Sequence, residues 1–440
     1  MRNRGKTEEE RIVRTNREEE AYRDSVPALL FWYDYNARIL PWREDPTPYH
    51  VWISEIMLQQ TRVEAVRAYY ERFLAELPDV RAVAEASEDR LVKLWEGLGY
   101  YSRVRNIAKA ARVLCEKYDD RLPADYMLLR DLPGIGDYTA GAIASIAFGI
   151  PVPAVDGNVL RVFARVTGYR EDIRSDRFKK HVAEQLRTAI SKYAEENKED
   201  VSGECSGGDA GRGGPASGAA RISSAPGRFN QAIMDVGATV CIPNGKPHCD
   251  KCPLSHLCAA FSEGLTAEIP AKKAEKARPV EKRTVLLLCS GERVLLRRRP
   301  AKGLLAGMWE FPGISGHATY AGAKQAAAAI LAETAERADP GDTAGDGTAG
   351  SPLSRTELRA KRLPDSRHVF SHTEWDMRGY RIDIPGKAAE RIARVSEKNA
   401  ETAATGSAEY LWASAREIRE EHGVASAFRV YREYLPKEQK

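Results

Sequence analysis

Long apolar runs are missing from this 440-residue chain. The longest candidates, such as Val285–Cys289, fall far short of the ~18–20 residues that cross a bilayer, so membrane-spanning readings are excluded. The leader, Met1 to Tyr22, lacks the apolar core of a secretory signal. Its acids (Glu8, Glu9, Glu10), mixed with Arg2, Arg4 and Lys6, argue against an organelle transit peptide, and the expected location is the cytoplasm. A strong overall charge is also missing, since the net value is +4. That balance hides a block from Lys272 to Lys302 with eleven basic residues against Glu275, Glu281 and Glu292. Such a block suits a polyanion through counterion release and suits a solvated linker equally well, and charge alone leaves both open. A secreted disulfide framework is excluded too. Seven cysteines is an odd number, and four of them crowd into Cys241–Cys258, which is metal or cluster usage in a reducing compartment.

What remains is ordinary globular composition, 43% hydrophobic and 30% charged, at a length for two or three domains. Strand-like alternation is scarce between Val26 and Ala260. Apolar residues instead recur at helical spacing over Trp52–Val66, Val80–Leu94, Ile107–Leu114, Ala140–Ala147 and Val159–Val166, which predicts a helical bundle. A charged arm occupies residues 1–24, mobile or weakly helical, and the helical domain runs over 25–262. Within it Val201–Ala220 holds fourteen Gly, Ala or Ser in twenty residues, so 201–222 is expected to be a disordered insertion. A basic connector with Pro270 and Pro279 spans 263–282. After it, Thr284–Cys289 and Arg293–Arg297 flank Ser290-Gly291-Glu292 as a hairpin, and His368–Phe370 with Trp375–Ile384 reads as a second strand pair. A helix near Ala323–Ala335 lies between them, with a flexible insertion at 338–356. This 283–436 part is expected to be α+β.

Four local patterns carry chemistry. Cys241, Cys249, Cys252 and Cys258 give C-x7-C-x2-C-x5-C, four soft thiolates able to wrap one zinc or one iron–sulfur cubane, and spacing alone does not choose. Leu132-Pro133-Gly134-Ile135-Gly136-Asp137-Tyr138-Thr139-Ala140 is a tight turn opening onto a helix. It can face a phosphate, but ordinary helix–helix packing is the plainer reading of this turn by itself. Glu55 has Val51, Trp52, Leu58 and Gln59 as its helical neighbours, so its carboxyl either sits in an apolar environment with a raised pKa or lies at the rim of that face. Asp156, before Gly157-Asn158-Val159-Leu160-Arg161, is a good helix N-cap, which does not preclude a catalytic role.

Taken in order, Trp52-Ile53-Ser54-Glu55-Ile56-Met57-Leu58-Gln59-Gln60-Thr61, the Leu-Pro-Gly-Ile-Gly turn, Val155-Asp156-Gly157-Asn158-Val159 and the cysteine cluster resemble MutY-type adenine DNA glycosylases. These belong to the helix–hairpin–helix superfamily shared with endonuclease III. The match runs from Ala28 to about Tyr434 outside the two insertions, with one departure: seven residues follow Cys241 where six is the commoner family spacing. The resemblance implies an all-α helix–hairpin–helix glycosylase domain with a 4Fe-4S cluster on the four cysteines, followed by an α+β Nudix-like (MutT-like) domain. It implies a monomer acting near the nucleoid on double-stranded DNA with adenine opposite 8-oxoguanine or guanine, flipping the base before cutting it.

By motif position, Glu55 would protonate adenine N7 and Asp156 would stabilise the oxocarbenium-like sugar or trap it covalently, with Tyr138 and Asn158 orienting them. Arg38, Trp42, Arg43, Leu58, Val63 and Gln231 match the adenine pocket, while Gly134 and Gly136 shape the DNA-backbone hairpin. Leu98-Gly99-Tyr100-Tyr101-Ser102-Arg103 matches the inserting segment, with Tyr100 as wedge and Gln60, Thr61 and Leu98 lining the oxidised guanine. Phe370-Ser371-His372 matches the family's lesion-reading turn. Three rival functions are weaker. A glycosylase/lyase needs a lysine where Tyr138 stands, a non-enzymatic binding module leaves Glu55 and Asp156 idle, and a Nudix hydrolase needs more acids than Glu333 and Glu336 on its helix.

Overall fold

The computed structural model describes residues 8–197, 224–271, 277–300, 302–338, 358–384 and 410–437. The insertion expected at 201–222, the one at 338–356 beyond Ala338, the middle of the basic connector and the first seven residues of the arm lie outside the described residues. The chain divides into two compact units, Met1–Glu85 with Asn106–Glu275, and Ala86–Arg105 with Lys276–Lys440.

The first unit is helical, and its breaks are set by local chemistry. The window Trp52–Val66 is two helices, Pro48–Leu58 and Val63–Glu76, parted where Gln60 takes φ +57°. Val80–Leu94 is likewise split, into Val80–Glu85 of this unit and Glu88–Leu94 of the second, because the Ser87 side chain accepts from the Arg90 N–H and starts a new helix. The expected arm is helical from Glu8 onward, part of a helix that ends at Asn36. Its apolar side chains anchor it: Tyr22 is buried and stacks on Phe163 with ring centroids 4.8 Å apart. Val26, Leu29, Phe163, Val182, Leu186, Phe229 and Ile233 join them in one core cluster. Dispersion and apolar burial there fix the helices Gly157–Thr167 and Ala225–Thr239, which carry half of the site described below.

Among the described residues, the second unit is built on an eight-stranded sheet. The strands are β1 (Val280–Ser290), β2 (Arg293–Arg298), β3 (Trp309–Glu310), β4 (Gly313–Ser315), β5 (Arg359–Arg362), β6 (Ser366–Val369), β7 (Glu374–Asp383) and β8 (Tyr410–Ser414). The expected hairpin is β1–β2, antiparallel around Gly291, and the second expected pair is β6–β7, with Val369 opposite Glu374. β1 and β7 run parallel along their length. Leu286, Leu288, Leu295 and Ile382 pack against Ala323, Ala327 and Ile330 of the helix Tyr320–Ala338. On that helix Glu333 accepts a hydrogen bond from the Tyr410 hydroxyl at 3.2 Å.

The segment Ala86–Arg105, part of the helical domain expected over 25–262, makes its contacts within the second unit. Lys93 Nζ donates to the Ile418 carbonyl at 2.8 Å, Arg298 pairs with Asp89 at 3.2 Å, and Arg432 pairs with Glu96. No helix among the described residues is long and apolar enough to cross a membrane.

Candidate active site

Glu55 sits on a helix that has no polar face. Tyr49, Val51, Trp52, Ile53, Ser54, Ile56 and Met57 of the helix Pro48–Leu58 are all buried with it, the pattern of a helix enclosed on every side. The Thr47 side chain accepts from the His50 N–H and Pro48 fixes the first turn, so the start of this helix is defined locally. Enclosure settles the choice left open by the sequence: Glu55 is 5% exposed and is not a rim residue. Burial pushes its carboxyl up to about 7, against the lowering effects of the Tyr138 hydrogen bond and the Arg43 charge. The Tyr138 hydroxyl donates to Glu55 Oε2 at 2.7 Å.

Asp156 caps the helix Gly157–Thr167. Its Oδ1 accepts from the backbone N–H groups of Asn158 and Val159 at 2.8 and 2.9 Å, and its Oδ2 accepts from Asn158 Nδ2 at 2.7 Å. Burial raises this carboxyl as well, but these three donors and the nearby Arg161 favour its ionised form. Two carboxyl groups thus share one site with unequal support: Glu55 has one donor and Asp156 has three. That inequality favours the proton on Glu55 over Asp156.

Both line one cavity of about 390 Å³, large enough for a purine. Tyr138, Asn158, Arg38, Trp42, Arg43, Leu58, Thr61, Val63 and Gln231 line it too, so eleven of the residues singled out in the sequence converge here. Gln60 does not: it is exposed and lies outside the cavity wall. The sequence reading also missed a wall residue's support. Asp235 is fully buried, and its carboxylate accepts from Arg43 Nη1 and Nη2 at 2.8 and 3.0 Å and from Arg38 Nε at 2.7 Å. Desolvation pushes this carboxyl up, and the Arg43 and Arg38 guanidiniums more than reverse it, holding it below the ordinary value. The only local hint was its place four residues after Gln231 on one helical face, and its partners lie nearly two hundred residues away.

The Leu132–Gly136 turn stands at the start of the helix Asp137–Phe148. Gly134 has φ +80°, and a Cβ there would lie 2.5 Å from Asn106 Cβ, so only glycine fits the turn. Gly136 is the N-cap, with open space around it. Arg161 joins the Asp156 network to the cysteine region, donating to Asn158 Oδ1 at 3.0 Å and to the Cys241 carbonyl at 2.9 Å.

Cys241, Cys249, Cys252 and Cys258 border one apolar cavity with Val162, Val166, Val240 and Leu254. Arg165 Nη1 donates to Cys241 Sγ at 3.1 Å. Four thiols round one space with a cation against one of them is a donor set that fits an anionic thiolate cluster. Among the described residues, no three His, Cys, Asp or Glu side chains are grouped to hold a single metal ion.

In the second unit, Leu98 and Tyr101 are buried, whereas Tyr100 is 44% exposed. Phe370-Ser371-His372 links β6 to β7 as an exposed turn, closed by the Phe370 N–H on the Thr373 carbonyl at 2.8 Å. Phe370 packs edge-on against Trp375 with centroids 4.9 Å apart, and Arg278 Nε donates to the Ser371 carbonyl at 3.2 Å.

A buried acid protonated to about pH 7, a capped carboxylate on the same purine-sized cavity, and a glycine hairpin feeding a helix define a DNA glycosylase of the helix–hairpin–helix class. The family model "HhH-GPD superfamily base excision DNA repair protein" matches residues 53–188, and that of the NUDIX domain matches 283–433. The adenine DNA glycosylase of Rattus norvegicus is 30% identical, over 92% of this chain and 77% of its own. That of Homo sapiens is 32% identical, over 82% and 67%. Among solved structures, a thermostable thymine-DNA glycosylase is 26% identical with a TM-score of 0.44, over 57% of this chain and 99% of that one. The chain belongs to the adenine DNA glycosylase family.

Proposed function

We propose that the protein excises adenine mispaired with 8-oxoguanine or guanine in duplex DNA, as a monofunctional monomer that leaves an abasic site. The observation that carries this reading is the Glu55–Asp156 pair on one cavity. With adenine flipped into it, Glu55 gives its proton to N7, and the C1′–N9 bond breaks with its electron pair going to the base. Asp156 stabilises the resulting sugar cation, and water adds at C1′ and gives up a proton to complete the hydrolysis. Tyr138 and Asn158 hold the two carboxyls in place. Arg43 and Arg38, locked by Asp235, present fixed donors to the purine, and Trp42, Leu58 and Val63 give it apolar walls. The working place is with the chromosome, in a bacterial cytoplasm. The expected result is adenine release opposite 8-oxoguanine and guanine but little opposite thymine, with the strand breaking only after alkali or heat. A stable lysine adduct trapped by borohydride would instead identify a lyase.

The four cysteines are proposed to hold a 4Fe-4S cluster, which when bound crosslinks the Cys241–Cys258 loop through iron–thiolate bonds. Anaerobically purified protein should be yellow-brown with about four irons per chain. One stoichiometric zinc without visible absorption would replace the cluster in this account.

Lesion reading is assigned to Phe370-Ser371-His372. Oxidation turns guanine N7 into a donor and adds a carbonyl at C8, and an exposed hydroxyl with backbone groups beside it can read that reversed pattern. Ser371→Ala with His372→Ala should narrow the preference for 8-oxoguanine over guanine by ~1–3 kcal/mol, while plain-mismatch activity falls much less. Equal loss on both substrates in single-turnover assays would make the turn a general DNA contact.

A further inference from the structure

The segment carrying Tyr100 is held in an unfavourable shape. Gly97, Gly99 and Tyr100 have φ of +106°, +73° and +48°, so three of four successive residues are left-handed, one of them a bulky aromatic. Such a turn persists only where its surroundings over-determine it. Arg103 lies directly beneath. It is 8% exposed, and its Nη2 donates to the carbonyls of Leu98 at 3.2 Å and Gly99 at 3.1 Å. The Gly99 carbonyl also accepts from Trp95 Nε1 at 3.2 Å. The guanidinium carbon stands 5.3 Å from the Trp95 ring centroid and 5.6 Å from that of Tyr100, so one cation touches the faces of two aromatic rings. Desolvation lowers this guanidinium to about 10, the mark of a cation kept in a costly place.

We infer that Arg103 is a positioning residue for base flipping, which fixes the left-handed turn and the Tyr100 ring in the attitude needed to wedge into the duplex. This rests on the reading of Tyr100 as the wedge. A lysine is a poor substitute: its ammonium could donate to both carbonyls, but it has no flat face to set against the Trp95 and Tyr100 rings. The inference also accounts for Tyr101, whose hydroxyl accepts from the Gly97 N–H at 3.2 Å and braces the turn from its other end.

The test uses the full-length protein and an 8-oxoguanine duplex whose target adenine is replaced by 2-aminopurine for fluorescence, with single-turnover adenine release measured in parallel. Arg103→Met and Arg103→Lys should each lose most of the fluorescence rise on binding and slow release roughly 10- to 100-fold, the cost of a misplaced group. The pH at which release falls off, set by Glu55, should not move. Tyr100→Ala should be comparably slow, and Tyr100→Ala with Arg103→Met no slower than either alone. Additive losses, or a displaced pH profile, would overturn the role of Arg103 while leaving Tyr100 as the wedge. A normal Tyr100→Ala would remove the wedge reading itself, and a slow Arg103→Met beside it would show that Arg103 acts through something else. Should Arg103→Met fail to fold, the lysine variant carries the same comparison.

Discussion

Glu55→Gln should bind mismatched duplex as the parent does and release adenine roughly 10³-fold more slowly, since general acid catalysis is worth about 10²–10⁴ in rate. The amide has nearly the same shape and can still accept from the Tyr138 hydroxyl, so the loss isolates the proton. The parent's pH profile gives the same information independently. Burial raises Glu55 to about 7, and release needs it protonated, so the rate should fall about tenfold per pH unit above neutrality. Below that, the rate holds until Asp156 takes up a proton. Because the carboxyls interact, the two apparent values belong to the pair. Stability moves with pH in the same direction as activity. A carboxyl raised from 4.5 to about 7 on folding contributes fully below its unfolded pKa, and that contribution disappears as pH rises through about 7. At about pH 8 the ionised, enclosed Glu55 should therefore cost about 3 kcal/mol, at ~1.4 per unit of pKa. Glu55→Gln should melt higher than the parent at about pH 8, with the gap closing toward about pH 4. An inactive variant that gained no stability at high pH would mean that Glu55 is not held in a dry site.

How far the sequence disclosed this site differs from residue to residue. Asp156 was legible as a cap because capping is a local interaction, spanning two and three residues. The hairpin of β1 and β2 was legible for the same reason, apolar runs around a turn tripeptide. Glu55 was half legible. Its helical neighbours are apolar, yet whether the opposite side was covered depended on helices far away in sequence, such as Asp137–Phe148, and no local pattern reports that. Asp235 was missed because its meaning lies in Arg43 and Arg38, nearly two hundred residues earlier, and a lone acid on a helix resembles a surface residue. Periodicity failed at Gln60 and Ser87, where backbone sign and a side-chain cap interrupted apolar spacing that continues through both breaks. It failed again for Tyr22: charge dominates the window Met1–Tyr22, while one aromatic ring on Phe163 decides where the helix packs.

The network around Asp156 has a direction, and a pair of exchanged side chains can test it. Arg161 can only donate, so Asn158 must turn its oxygen to Arg161 and its amide N–H to Asp156 Oδ2. Asp156→Asn keeps an oxygen for the Asn158 and Val159 N–H groups, so the helix cap survives. The new amide nitrogen, however, meets another donor in Asn158. Turning Asn158 over would only move the conflict to Arg161. The variant should lose about 1–3 kcal/mol of stability from that unmade bond, and release should slow about 10²–10³-fold for want of the negative charge facing the sugar. Adding Asn158→Asp reverses the polarity of the chain. A carboxylate at 158 accepts from Arg161 and from the amide at 156, so the donors are satisfied again. The double variant should regain the parent's melting temperature in a thermal denaturation series, but its charge now sits one side chain away from the site, and adenine release should stay slow. Recovery of both would show that the network needs only folding and a nearby charge. Recovery of stability alone assigns the rate to a carboxylate at position 156 itself.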